Sequence, residues 1–539
     1  MIVDIVPDDK AEILQVGYMY GGEKLIHEID CRGQWYNLCT DEEGVMDKRI
    51  TTSIKDVSPR GTKRKSKPVM AYTNWDGSRL FQVWEGKLCL QRMYDIIWDQ
   101  PAEILDKILA PSDYRICFCD IETDISEEGF ADPKDAKMPI TTISMMIGSK
   151  VVVLGTIPLK TEGNQTQSDV CAQITDRIRR YISDPKVSFS YIMYPSELAM
   201  MEAFFMILNQ SVDVLTGWNF TCFDWYYIYN RLNRLCSNSR ERDMMIARGS
   251  IVGKTVNMSM TDRSGIKMHA IRPAQLLIFD YISMFEQFPP TNLASYALDN
   301  VGETVCGINK VAYDGSLKDL YINDYNSYVF YNAIDSCIVS KIHAKRKSMT
   351  FGIMQAVVAR CTAAKVLSKT FLAERLMAWE FRKESKRLAG LKREDKKEKD
   401  AQYEGAYVKD PRIGFHKVIS CNDFASLYPN TVRGYNIGPE TIIGKIDMND
   451  TKRVMALRSN PDFILTHNGT LFRKKDGHLK DIMTELFSSR KSKKKEALAD
   501  MEFAYEAKDL LDSNASDDAV LAFLEKHKDI VSELESTGS

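Results

Sequence analysis

Apolar and polar residues alternate in short runs, separated by turns, from residue 1 to about 110, and this pattern predicts a strand-rich amino-terminal part. A basic stretch, "SPRGTKRKSKP" (58–68), interrupts it and reads either as a solvated loop or as a contact for phosphate. From about 111 to 345 strand runs alternate with helical ones. "YRICFCDIE" and "KVVVL" read as strands. "SELAMMEAFFMILNQ" carries apolar residues at three- and four-residue spacing behind a candidate N-cap, Ser196, and reads as a helix. Such alternation argues for an α/β domain. Residues 355–390 predict one long helix ending near Gly390, and the charged run "LKREDKKEKD" (391–400) a mobile connector. Strands are expected again at "GAYV" and "KVISCNDFASLYP". The last sixty residues are helical in pattern, with one segment from about 480 to 511, a break at "SNASDD", and Ser516 in position to cap a final helix.

Composition narrows this picture only slightly. A chain of 539 residues is too long for one core and suggests roughly three to four domains. Its 72 basic and 74 acidic residues leave a formal charge of −2, which neither proposes nor excludes nucleic acid, because binding depends on local patches. Twelve cysteines, none in a C-x-x-C pair, read as reduced thiols of an intracellular protein. Seven dispersed histidines offer no zinc cluster. The amino terminus lacks a signal-peptide pattern, and no uninterrupted apolar run is long enough to span a bilayer.

The chemistry begins at "CFCDIETDIS" (117–126), where Asp120 and Glu122 end a run that otherwise reads as buried strand. Residues two apart share a strand face, so the two acids attach about 6.5–7 Å apart on one side. Two ionised carboxylates there repel, and burial makes the repulsion worse. A divalent cation between them reverses the sign of the problem. D-x-E alone is a weak signal. Downstream, "VDVLTGWNFTCFDWYYIYNRL" (212–232) predicts strand, turn and helix, with Asp224 at the helix start, where an acid also has an ordinary use against the helix dipole. "YVFYNAIDSCIVSKIH" (328–343) predicts a helix with Tyr331 and Asp335 four apart on one face, which is equally an ordinary surface pair.

Together these three segments, in this order, resemble the exonuclease motifs of family B DNA polymerases. They resemble the version whose last motif places tyrosine four residues before aspartate. The stretch "LLIFDYISMFEQFPPTNLASYALDNVGE" (276–303) is similar to the corresponding stretch of T4-like phage polymerases. The resemblance implies an RNase H-like 3′–5′ exonuclease domain over 111–345. Asp120, Glu122, Asp224 and Asp335 would hold two Mg²⁺ or Mn²⁺ ions, and Tyr331 would orient the attacking water. Two such ions about 3.5–4 Å apart activate water and stabilise the departing oxygen, and hard carboxylate ligands favour these metals over zinc. Asn219 is expected to meet the strand end, and Phe130, Phe220 and Phe223 to stack on a single-stranded 3′ end.

A second constellation lies at "NDFASLYPNTVRGYNIGPETI" (422–442), which resembles polymerase motif A of the same family. Asp423, Ser426, Leu427, Tyr428 and Pro429 match its core, and Asn430 stands where the family has serine. The resemblance gives Asp423 to the metals that carry a deoxynucleoside triphosphate. Backbone N–H groups of Ser426 to Tyr428 would face its phosphates, and Tyr428 would lie under its sugar. "YEGAYV" (403–408) is similar to the family's tyrosine–glycine template motif, which puts Tyr403 and Gly405 on DNA. In "LFSSRKSKKK" (486–495), Arg490 and Lys494 share a helical face and would hold the triphosphate, unless this is simply a solvated basic face.

Neither K-x-x-x-N-S-x-Y-G nor D-T-D-S, expected of the later fingers and palm, occurs in the sequence. The expected organisation is therefore an α/β multidomain chain. An amino-terminal domain (1–110, with 346–389 returning to it) precedes the exonuclease (111–345), a partial α+β palm (390–477) and the helical start of the fingers (478–539). Three readings stay open: one chain of a split polymerase, a truncated polymerase, and a stand-alone DNA exonuclease. The first implies a second polypeptide with the remaining fingers, palm and thumb, a sliding clamp contacted through it, primer–template DNA as substrate, and the cytoplasm of a phage-infected host as location. Leu510, Leu511, Val520, Leu521, Leu524 and Val531 could supply a helical docking stripe for it.

Overall fold

The computed structural model describes residues 1–8, 13–31, 37–40, 50–54, 67–73, 79–83, 90–124, 131–290, 293–312, 315–383, 409–475, 477–513 and 516–537, with backbone only for those within 37–92 and 533–537. It divides into two compact units, residues 1–72 with 79–379, and residues 73–78 with 380–539. The connector proposed at 391–400, "GAYV", and most of the basic stretch 58–68 lie outside the described residues.

In the first unit, β1 (Ile2–Asp8), β2 (Ile13–Tyr20) and β3 (Glu23–Asp30) form an antiparallel sheet. The β2–β3 turn is Gly21–Gly22, with φ of +60° and +80°. Two successive positive φ angles are what a type I′ hairpin turn demands, and glycine adopts them without strain. Strands β4 (Asn37–Thr40), β5 (Ile50–Ile54), β6 (Lys67–Thr73) and β7 (Arg79–Val83) form a second sheet, in the order β4-β7-β6-β5. The strand-rich start is therefore as the alternation suggests.

A six-stranded mixed sheet follows, built from β8 (Ile116–Thr123), β9 (Ile140–Ile147), β10 (Lys150–Gly155), β11 (Ser188–Met193), β12 (Val214–Gly217) and, beyond the hairpin β13 (Thr255–Thr261) and β14 (Lys267–Pro273), β15 (Leu277–Asp280). The order is β11-β10-β9-β8-β12-β15, with β8, β12 and β15 parallel and β9 antiparallel to both its neighbours. Strand β9, "ITTISMMI", is buried on both faces, as a covered central strand must be. Cys117, Cys119 and Ile121 point into a core with the helices Glu197–Ser211 and Asp224–Leu235. Their neighbours on the other face of β8 meet the helix Tyr325–Arg346, for example Phe118 against His343. Ser196 does cap its helix, accepting from the N–H of Ala199 at 3.2 Å.

His343 is enclosed by that packing, with Nδ1 3.3 Å from the Tyr281 hydroxyl. Burial, aided by the charge of Lys347, lowers its pKa from 6.5 to about 4. The unfolded chain then binds more protons than the folded one between these values, so stability falls as pH drops through this window. We expect a loss of up to about 3 kcal/mol by pH 4 from this group, measured by urea unfolding and reduced in His343→Gln.

The single helix expected over 355–390 is a correction: the chain forms a helix over Ser348–Val358, a short 3₁₀ turn at Ala363–Lys365 and a second helix over Lys369–Lys383. The break is tertiary in origin. The N–H of Thr362 donates to the Tyr94 hydroxyl at 3.0 Å, and its own hydroxyl donates to the carbonyl of Val3 at 2.8 Å. Arg360 takes a positive φ of 53° to turn the chain into that contact. Two long-range hydrogen bonds thereby displace local helix propensity.

In the second unit, β16 (Ile442–Lys445), β17 (Phe463–Leu465) and β18 (Thr470–Arg473) form a small antiparallel sheet ordered β16-β18-β17. The carboxyl-terminal helices span His478–Asp512, Asp517–Lys526 and Lys528–Thr537. Ser516 occupies the N-cap position, but its side chain makes no capping hydrogen bond. A second correction concerns "KVISCNDF": the described residues 417–424 form no strand. A strand exists only where a neighbour takes up its backbone groups, and none of the described strands pairs with this segment.

Candidate active site

Strands β8 and β12 run parallel, so their carboxyl ends open at the same edge of the sheet. Crevices at such ends are the usual ligand sites of open α/β sheets. Asp120 and Glu122 finish β8, opposite Ser144 and Thr142 of β9. The helix Tyr325–Arg346 is fastened across them by one residue per turn. The Tyr328 hydroxyl donates to the Thr123 carbonyl at 3.1 Å, Asn332 Nδ2 to Asp120 Oδ2 at 2.8 Å, and the Ser336 and Ser144 hydroxyls lie 2.8 Å apart. Residues 328, 332 and 336 are spaced by four and form one helical stripe. The adjacent stripe carries Tyr331 and Asp335.

Oxygens of Asp120, Glu122 and Asp335 all lie within 4.8 Å of one another. Burial, then the negative charge of Asp335, raises the pKa of Asp120 to about 7. Burial and its two acidic neighbours push Glu122 well above the usual range. Asp335 is also raised by burial, against the pull of Lys310. Lys310 Nζ donates to Asp335 Oδ2 and, at 3.1 Å, to the Tyr331 hydroxyl. Burial works against its charge, but Asp335, Tyr331 and Asp120 outweigh this, and its pKa rises. Asp335 Oδ1 and Asn332 Oδ1 are buried without a hydrogen-bond partner. Closely set, half-buried hard oxygens, one of them orphaned, suit a divalent cation. Asp120, Glu122 and Asp335 are the residues that would hold it.

Asp224 is not within that close group. It is buried at the start of its helix, and its Oδ1 accepts from the N–H of Ile121 at 3.1 Å. The carboxylate thus abuts β8 beside Asp120, and burial, then the charge of Asp120, raises its pKa. Its approach depends on Gly217, where a Cβ would come within 2.2 Å of the Cys119 carbonyl. Asn219 follows in the left-handed region, φ +60°, with an exposed side chain.

The aromatic contacts expected for a single strand divide. Phe130 lies outside the described residues. Phe220 is a correction: it is 0 % exposed and belongs to the core beneath the turn. The reversal at Asn219 turns the next side chain inward, where Gly217 leaves it room. Phe223 is partly exposed and packs on Tyr227 at 6.2 Å.

In the second unit, Asp423 is exposed, and Ser426 takes φ +53° just before the helix Leu427–Tyr435. Leu427 and Tyr428 stand in its first turn, whose N–H groups lack helical acceptors. Tyr428 is 77 % exposed. This helix lies against the long one: Arg433 Nε donates to Thr484 Oγ1 at 3.1 Å, and its guanidinium stands 5.1 Å from the centre of the Phe487 ring. Arg490 and Lys494 follow, exposed, one and two turns on. Tyr403 and Gly405 lie outside the described residues.

Sequence reasoning did not single out Lys310, Asn332 or Asp280. Lys310 sits in the aperiodic connection "GINKVAYDG", which carries no local signal. Asn332 was legible in principle, as the middle of a polar stripe with Tyr328 and Ser336 on a helix otherwise buried there.

Comparison with known proteins agrees with the motifs. The exonuclease domain of DNA polymerase family B matches residues 95–301, a span that includes Asp120, Glu122 and Asp224 and stops short of Tyr331 and Asp335. DNA polymerase family B matches residues 354–515, which include Asp423, Tyr428, Arg490 and Lys494. The chain is 27% identical over 398 residues to the DNA-directed DNA polymerase of Escherichia phage RB69, covering 71% of this chain and 42% of that protein. For the enzyme of Enterobacteria phage T4 the identity is 25%, over 72% and 43% of the two chains. DNA polymerase 1 of Sulfolobus acidocaldarius is 28% identical over 341 residues, covering 60% of this chain and 34% of that one. The chain thus spans about two fifths of the length of its phage relatives. With both family models matched, exonuclease before polymerase, the chain belongs to the family B DNA polymerases.

Proposed function

We propose that the first unit is a metal-dependent 3′–5′ DNA exonuclease of RNase H-like type, serving as the proofreading part of a polymerase. The observation that carries this reading is the convergence of Asp120, Glu122 and Asp335 to within 4.8 Å beside Lys310 and Tyr331. Divalent cations held there, as a pair in the full mechanism, would make a water nucleophilic and offset charge on the departing 3′ oxygen. Asp224 would complete the acidic set. Asn332 keeps Asp120 in one orientation through its 2.8 Å hydrogen bond. The Tyr331 hydroxyl, held by Lys310, would orient a water by accepting or donating one hydrogen bond without carrying charge at neutral pH. Asn219 and Phe223 would receive the last nucleotides of a frayed strand. In the direct test, the chain with Mg²⁺ shortens a 5′-labelled single strand from its 3′ end, and EDTA stops the reaction. Absence of shortening, or shortening in EDTA, would refute the assignment.

The second unit we read as part of a nucleotide site, following the four-part domain division given above. Asp423 would bind the metal-carried triphosphate, the N–H groups from Ser426 to Tyr428 its phosphates, and Arg490 and Lys494 its charge. A two-metal transfer needs a further acid beside Asp423, and since the D-T-D-S motif does not occur in the sequence, in this reading synthesis draws on a polypeptide that carries it. A split arrangement with a second chain is one way to provide them. Primer extension should appear when a polypeptide bearing the D-T-D-S motif is added, and extension by the 539-residue chain alone would overturn this requirement.

A further inference from the structure

Asp280 ends β15 directly beside the end of β12, with its Cα in register with Gly217. Its carboxylate is buried and gathers three groups. Oδ1 accepts from the N–H of Asn219 at 3.1 Å and from the N–H of Ile282 at 3.1 Å, and Oδ2 accepts from the Thr221 hydroxyl at 3.4 Å. Thr216, one residue before Gly217, donates its hydroxyl to the Phe279 carbonyl at 3.0 Å and ties the two strand ends together. On the other side of the turn, Trp218 Nε1 donates to the Tyr296 carbonyl at 2.9 Å. The held turn, 217–223, contains two requirements that oppose free relaxation. Gly217 has no room for a side chain, and Asn219 sits at positive φ. A non-glycine residue there carries strain that surrounding contacts must hold in place. Burial raises the pKa of Asp280 to about 6 against the pull of these donors, so the group is a carboxylate at neutral pH.

We propose that Asp280 is a positioning residue of the exonuclease site, a carboxylate clamp that locks the Asn219 turn so that the Asn219 side chain faces the DNA strand. This rests on the proposed exonuclease reading, in which Asn219 meets the 3′ end. A simpler role competes with it, since Asp280 also caps the short helix Tyr281–Phe285 through Ile282.

Serine separates the two roles. It is as good an N-cap as aspartate, but a single short hydroxyl cannot hold Ile282, Asn219 and Thr221 together. With the full chain and Mg²⁺, Asp280→Ser should raise the KM for a single-stranded oligonucleotide about tenfold, as loss of a charge-assisted hydrogen bond does. Asp280→Asn, which keeps both reaches, should stay within about threefold of wild type by the same measure. If the clamp acts through Asn219, adding Asp280→Ser to Asn219→Ala should change KM by less than about twofold, a non-additivity that a purely structural role does not produce. An unchanged KM in Asp280→Ser, or a full additional penalty in the double variant, would overturn the clamp. Should Asp280→Ser fail to fold, Thr221→Val carries the test. It leaves the cap intact, and a KM raised at least about threefold supports the clamp whereas an unchanged one overturns it. The same variants are compared for oligonucleotide affinity by fluorescence anisotropy in EDTA. Weakened binding in Asp280→Ser beside a wild type that degrades nothing keeps the clamp and sinks the exonuclease reading. Normal binding and KM in the variant beside an active wild type does the reverse.

Discussion

Asp120→Ala should abolish degradation of single-stranded DNA, by about a thousandfold or more, equivalent to ~4 kcal/mol of lost transition-state stabilisation. The reason is positional. Asp120 lies where β8 ends, within 4.8 Å of both Glu122 and Asp335, and its other partner is the amide of Asn332. Alanine removes an oxygen of the proposed metal site and the acceptor of that amide together. A time course on a 5′-labelled oligonucleotide, with Mg²⁺ and again with Mn²⁺, reads the effect, and activity surviving within tenfold of wild type would dismiss Asp120 as a ligand. The pH dependence has a defined sign. Asp120 holds its proton up to about pH 7, because burial and Asp335 disfavour its charge. Cation binding must displace that proton, so activity should fall as pH drops below about 7. In the absence of cation the folded state binds more protons than the unfolded one between the ordinary value, 3.8, and about 7. This group therefore favours folding at low pH, and that contribution is lost as pH rises through 7.

Lys310→Met should destabilise the cation-free chain by about 3 kcal/mol, at the low end for a broken buried ion pair because a third of the side chain reaches solvent. Lys310 donates to Asp335 and Tyr331 at once, so its loss strips a partner from both. Methionine keeps most of the apolar stem and removes the charge, leaving the acidic cluster without the cation that Asp335 pairs with. Urea unfolding in EDTA measures the loss. Mg²⁺ or Mn²⁺ should return part of it, since an ion bound by the folded state alone stabilises by mass action. The shift of Tm with Mn²⁺ should thus be larger in the variant than in wild type. Equal shifts in both would show that lysine and metal do not share the same negative field.

Much of the architecture is legible because it is local. The helix Tyr325–Arg346, the helix behind Ser196, the strand–turn–helix before Asp224 and the break near Ser516 all follow from periodicity and turn chemistry in contiguous residues. Expectations failed where distant residues decided. The stretch 355–390 has helical pattern throughout, yet Thr362 leaves the helix to reach Tyr94 and Val3. Phe220 looks like an exposed loop aromatic, yet a positive φ at Asn219 directs it into the core. "KVISCNDF" has strand composition but, among the described residues, no strand to pair with.

The amino-acid sequence alone determined which residue types are available: acids at strand and helix ends, tyrosine four before aspartate, and the order of motifs that marks the family. Those properties are carried by neighbours within a turn or two of chain, where spacing and side-chain direction are the same thing. Only the tertiary structure decided that Asp335 comes within 4.8 Å of Asp120 and Glu122 while Asp224 turns to the N–H of Ile121. The same holds for Lys310 balancing the acids, Asn332 holding one of them, and Asp280 gripping the turn of Asn219. Each of those contacts joins segments far apart in the chain, and their distances follow from how the sheet and the crossing helix pack, a property no local pattern encodes.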